Sequence, residues 1–128
     1  MVGYPAELHA SILVVEDTPV LLRQTVSALE RAGYHCLAAT NGQEAVDLFQ
    51  TEHLDLIVLD WQMPVMDGIT AANRIRDLER GSHNQPIPMI LYSSIARDAA
   101  QQCAAVGITD TVSKGDLRTL LAKIKVAL

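Results

Sequence analysis

The four residues Leu56-Ile57-Val58-Leu59 are apolar without a break and stop at Asp60. A run this short is a strand rather than a helix, and unbroken apolarity marks a strand covered on both faces. Strands of that kind belong to parallel sheets sandwiched between helices. The rest of the chain fits such a sheet, because short apolar runs alternate with helical periods. Strand one is predicted at about Ser11–Val15. Thr18 is a good N-cap for the helix after it, Pro19 suits its first turn and Gly33 its stop, with Leu22, Val26 and Leu29 on one face. Strand two follows at His35–Ala39. Asn41 and Glu44 resemble a capping box for a helix that turns Ala45 and Phe49 inward.

Strand three is Leu56–Leu59, and the next helix carries Ala71, Ile75 and Leu78 on one side. Gly81 to Pro86 reads as a polar loop, and Met89–Tyr92 as strand four. An alanine-rich helix spans about Asp98–Val106 with Gly107 as its stop. Strand five lies near Asp110–Val112. The last helix starts at about Asp116 and aligns Leu117, Leu120, Leu121 and Ile124. Five βα units in series imply an α/β fold with a five-stranded parallel sheet, doubly wound by helices. The order 2-1-3-4-5 is expected, because it sets the two strands with acidic tips side by side. Sites in such sheets form beyond the carboxyl ends of the strands, at the switch point between strands one and three.

Composition narrows the function classes. The chain has 128 residues, enough for one core, with 49% hydrophobic residues and a formal net charge of −5. That balance, without a Lys/Arg cluster, argues against direct nucleic-acid binding. No apolar run approaches a membrane span, and Met1 to Ala10 lacks the basic start and apolar stretch of a signal peptide. The expected division is therefore a leader or linker at 1–10 and one domain at 11–128, in the cytoplasm. Cys36 and Cys103 have no zinc or CxxC spacing and read as small hydrophobes in a reducing compartment. His9, His35, His53 and His83 are dispersed and form no metal cluster in sequence.

The chemistry gathers at the strand ends. Strand one ends in Glu16-Asp17 and strand three in Asp60, so three carboxylates meet at one edge. Like charges in one place repel, and a hard divalent cation with oxygen ligands relieves them. Ser93 follows strand four and Lys114 follows strand five. The edge thus carries a metal site, a hydroxyl donor and a cation, which suits a phosphoryl group held on a carboxylate. Taken singly, each residue has an ordinary explanation as a turn, a strand-end hydroxyl or a surface lysine. Their order along five strand ends carries the argument.

From Ser11 to Leu128 the chain closely resembles the receiver domain of two-component response regulators, a flavodoxin-like (βα)5 fold. The matching residues are Glu16-Asp17, Asp60 with Met63-Pro64 and Asp67-Gly68, Ser93 and Lys114. The wording of Asp60 to Gly68 and the longer loop before Pro86 look most like receivers attached to hybrid sensor kinases. The resemblance implies that Asp60 is the phosphoacceptor, charged by a phosphohistidine of a histidine kinase or histidine phosphotransfer domain. It implies Mg²⁺ as the cofactor, held by Asp17, Asp60 and the backbone carbonyl of Gln62, with Glu16 acting mainly through water. Ser93 would bond a phosphoryl oxygen, Ser94 would leave room for it, and Lys114 would pair with Asp60 at rest. Such a domain switches partner interactions and is not an enzyme beyond self-phosphorylation and slow autodephosphorylation.

Two positions depart from the family pattern. Gly115 stands where proline usually follows the lysine, so a trans peptide bond with an adjusted loop is expected. Thr111 stands where an aromatic ring is common. The rival readings are weaker. An aspartate-nucleophile, Mg²⁺-dependent phosphohydrolase commonly has a second acid where Gln62 lies. A flavin module would place phosphate against Glu16-Asp17, and a pseudo-receiver without phosphorylation typically lacks one of the acids present here. Trp61 is expected to pack at the rim and report on the site.

Overall fold

The computed structural model describes residues 10–82, 85–94 and 100–128. Ten elements alternate along these residues: β1 Ser11–Val15, α1 Pro19–Arg31, β2 His35–Ala39, α2 Gly42–Thr51, β3 Leu56–Leu59, α3 Gly68–Glu79, β4 Met89–Ser93, α4 Ala100–Ala105, β5 Asp110–Ser113 and α5 Leu117–Ala127. All pairings are parallel, in the order β2-β1-β3-β4-β5. The expected topology is therefore the observed one. Strands β4 and β5 each run one residue further than predicted, to Ser93 and Ser113, which pair with each other. Asp98 and Ala99, expected in the fourth helix, lie outside the described residues, as do Met1 to His9 and His83-Asn84.

Strand alternation splits the core in two. Leu13, Val15, Ile57, Leu59, Met89 and Leu91 face α2, α3 and α4, whereas Ile12, Val14, Leu56, Val58, Ile90 and Tyr92 face α1 and α5. Every residue of β3 is at most 1% exposed, as its unbroken apolarity requires. Helix ends largely follow their sequence signals. Asn41 Oδ1 accepts the Glu44 N–H at 2.9 Å, while Glu44 reaches back to the Thr40 N–H at 2.7 Å, one residue before the cap. Gly33, at φ 100°, closes α1 with bonds from its own N–H to Glu30 O and from Tyr34 N–H to Leu29 O. That pair of bonds is a Schellman motif, in which glycine takes the left-handed position without a Cβ penalty.

Two expected positions hold but make different contacts from those their signals suggest. Thr18 stands at the N-cap of α1, but its side chain makes no capping bond. Its N–H instead donates to Glu16 Oε2 at 3.1 Å, so the residue orders the acidic edge. Leu78 shares its helix side with Ala71 and Ile75, yet it is 41% exposed. It sits in the last turn of α3 and borders an open groove with Phe49, Leu54 and Pro86 rather than the sheet.

Candidate functional site

Sheet register brings the acids together. Beyond the ends of β1 and β3 the ladder continues, with Glu16 N–H to Ala39 O and Asp60 N–H to Val15 O, both at 3.0 Å. Carboxylate oxygens of Glu16, Asp17 and Asp60 consequently lie within 4.8 Å of one another. Asp17 is exposed, whereas Glu16 and Asp60 are buried. Such crowding is tolerable only with a cation nearby. Lys114 supplies one, its Nζ lying 2.6 Å from both Asp60 Oδ2 and Glu16 Oε1. Burial alone would depress the Lys114 ammonium. The hydrogen bonds and negative charges of Asp60 and Glu16 outweigh it and raise the group above the ordinary lysine range.

The loop after β3 is pinned to present Asp60. Asp60 Oδ1 accepts the N–H of Trp61 at 2.8 Å, and the Gly68 N–H returns to Trp61 O at 2.7 Å. Between them the Met66 N–H bonds Pro64 O at 2.7 Å across Val65, whose φ is 69°. A one-residue turn with that sign is a strained γ-turn, unusual for a β-branched residue. The Gly42 N–H anchors the loop from α2, donating to Met66 O at 2.9 Å. Asp67 is the N-cap of α3, its Oδ1 accepting the Thr70 N–H at 2.8 Å. Its part in the motif is thus to start a helix. Gly68 has no room for a side chain, since a Cβ there would lie 1.9 Å from Asp60 O.

The remaining expected residues fall where their strands lead. Gln62 is exposed at the start of the loop. Ser93 is 2% exposed at the end of β4, and its carbonyl accepts the Lys114 N–H at 3.1 Å. Ser94 follows on the exposed rim. Trp61 is half-buried against the α2/α3 side of the core. Lys114 and Gly115 are joined by a trans bond, as expected, and Gly115 has φ 96°. The Asp116 N–H bonds Ser113 O at 3.1 Å, so Lys114 and Gly115 are the middle of a turn whose third residue needs positive φ. Proline, fixed near −65°, has no place in that conformation.

Sequence reasoning missed two contacts. Glu16 shares Lys114 with Asp60, and the Tyr92 hydroxyl accepts the Gly115 N–H at 2.8 Å. Strand alternation does assign Tyr92 to the face opposite Ser93. The partner of its hydroxyl depends on a turn that sequence does not specify.

A family model described as the response regulator receiver domain matches residues 12–125. The chain is a response regulator receiver domain. As such it is a signalling domain of phosphorelay systems. The receiver is 37% identical over 103 residues to the hybrid signal transduction protein dokA of Dictyostelium discoideum, covering 80% of this chain and only 6% of dokA. Among solved structures it is similar to the receiver domain of a Pseudomonas aeruginosa sensor histidine kinase with a magnesium ion coordinated in its active site cleft. That match has 27% identity and a TM-score of 0.80, covering 92% of this chain and 96% of the other. It is also similar to the receiver domain of the Saccharomyces cerevisiae response regulator Ssk1, solved with the histidine phosphotransfer protein Ypd1. There the identity is 29% and the TM-score 0.84, with 91% and 87% of the two chains covered. No helix among the described residues is long and apolar enough to cross a membrane.

Proposed function

We propose that Asp60 is the phosphoacceptor of this receiver, charged from a phosphohistidine of a histidine kinase or phosphotransfer domain. The observation that carries this reading is Asp60 itself, a buried carboxylate at the switch point with one oxygen on Lys114 and two further acids within 4.8 Å. An Asp60 oxygen forms the new O–P bond as the P–N bond to the donor imidazole breaks, and the imidazole nitrogen is protonated as it leaves. Lys114 follows the developing charge, exchanging Asp60 for a phosphoryl oxygen while Glu16 keeps hold of it. Ser93, fixed at the end of β4, presents a hydroxyl to another phosphoryl oxygen. Water removes the acyl phosphate slowly, so self-phosphorylation and slow autodephosphorylation are the activities expected of the domain.

The donor set suits Mg²⁺. Asp17 is exposed, Asp60 retains unused lone pairs, and all candidate ligands are hard oxygens, including the Gln62 carbonyl. Both oxygens of Glu16 are engaged, one by Lys114 and one by the Thr18 N–H, which fits an indirect role through water. When bound, the ion supplies positive charge against the phosphoryl oxygens. A ligand that binds only the folded state stabilises it by linkage, so Mg²⁺ titration is expected to raise the melting temperature. Trp61 fluorescence should follow the same titration. Asp17→Asn is expected to weaken that response by about tenfold or more, at least what the loss of a partner behind a metal ligand costs, whereas Asp47→Asn, on exposed α2, should leave it unchanged. Equal responses of the two variants would place the metal elsewhere.

Output is proposed to run through the loop after Ser93 and through α4. Thr111 is half-buried on β5 and too small to transmit much by changing rotamer. Helix α4 is short, with Cys103 buried but Gln101, Gln102, Ala104 and Ala105 exposed. Low burial makes local opening easy. With a beryllofluoride mimic, hydrogen exchange is expected to change more over 94–107 than around Thr111, although 95–99 lie outside the described residues. Unaltered exchange in α4 beside a strong response in β5 would refute this route.

A further inference from the structure

Lys114 has no proline behind it, and the turn that carries it is held from β4 instead. Two successive N–H groups of the turn are taken by the last two residues of that strand. Lys114 N–H bonds Ser93 O at 3.1 Å, and Gly115 N–H bonds Tyr92 Oη at 2.8 Å. The Tyr92 residue is only 6% exposed, with its ring in the core beside Val112, Leu120 and Ile124. A ring so enclosed holds its hydroxyl at one place. Burial raises the phenol above the ordinary tyrosine range, against the opposing pull of the Gly115 N–H and of Lys114, so the group stays neutral. A Cβ on Gly115 would touch nothing within 4 Å, so its turn is defined by backbone angle and hydrogen bonds rather than by packing around it.

We propose that Tyr92 is a positioning residue for Lys114, its phenol oxygen fixing the backbone from which the ammonium reaches Asp60 and Glu16. A proline at 115 would have no N–H to give, so this device is available only because the residue after Lys114 is not proline. Tyr92 acts through Lys114 and touches no reacting atom. Its kinetic consequence rests on Asp60 being the phosphoacceptor, but its structural consequence does not.

Tyr92→Phe keeps the ring and deletes the acceptor. In metal-free protein the ¹⁵Nζ signal of Lys114 is expected to shift in this variant, with faster exchange of the ammonium protons. Phosphorylation by phosphoramidate with Mg²⁺ is expected to slow by about fivefold, the factor typical of one neutral hydrogen bond. In a Lys114→Ala background the same change is expected to have no further effect. An unaltered Lys114 signal would overturn the proposal. So would equal slowing in both backgrounds, which a general loosening of the core would produce. If the wild-type protein takes up no phosphoryl group, the phosphoacceptor reading fails alone, and the Lys114 signal still decides the role of Tyr92.

Discussion

Asp60→Asn is expected to abolish phosphorylation. The amide has the shape of the carboxylate but no nucleophilic oxygen anion, so neither acetyl phosphate nor a phosphohistidine donor can charge it. The loss is not one of folding. Lys114 keeps its 2.6 Å pair with Glu16, and removing one of three crowded carboxylates relieves repulsion. Intact-mass measurement after incubation with acetyl phosphate and Mg²⁺ reads the result, with thermal melting as the control. Labelling of the variant to the wild-type extent, at any residue, would refute the assignment.

The second large effect falls on stability. Gly68→Ala is expected to cost about 3 kcal/mol, or on the order of 10 °C in melting temperature. The new Cβ would lie 1.9 Å from Asp60 O and 2.9 Å from Asp60 C, both backbone atoms that no rotamer change can move. Either the start of α3 or the end of β3 must shift. The helix propensity gained from alanine, about 1 kcal/mol, is too small to offset this. A shift of β3 would also displace Asp60 from Lys114, so phosphorylation should slow together with the loss of stability. Gly81→Ala is the matched control, since the nearest atom to its Cβ is Leu78 O at 4.0 Å. Equal melting temperatures for the two variants would contradict the close-approach argument.

Much of this architecture is legible in the sequence because local signals and the global pattern agree. The apolar run of β3 is buried on both faces. Asn41 and Asp116 cap their helices, and Gly33 and Gly107 both take positive φ at helix ends. Each of these depends on a few adjacent residues. Parallel order then places Glu16, Asp17 and Asp60 at one edge without any knowledge of side-chain conformation. What stays hidden depends on distance in space. Leu78 keeps the helical period of Ala71 and Ile75, but periodicity cannot show that the sheet no longer covers the last turn of α3. The Thr18 side chain matches a cap, yet its N–H is drawn to Glu16, a preference set by the acidic edge. Lys114 divides itself between two acids that follow different strands. Tyr92 finds its partner only through a turn that glycine allows. Both contacts link residues far apart in the chain, and both lie at the site rather than in the core.

The central claim is that Asp60 carries the phosphoryl group, and reductive mapping of the phosphorylated wild-type protein tests it most directly. Borohydride cleaves an aspartyl phosphate and leaves homoserine in its place, which peptide mass spectrometry locates. Homoserine at position 60, formed only when Mg²⁺ accompanied the donor, is the predicted result. Homoserine at position 17, or a phosphoryl group that resists borohydride and maps to a histidine, would contradict it.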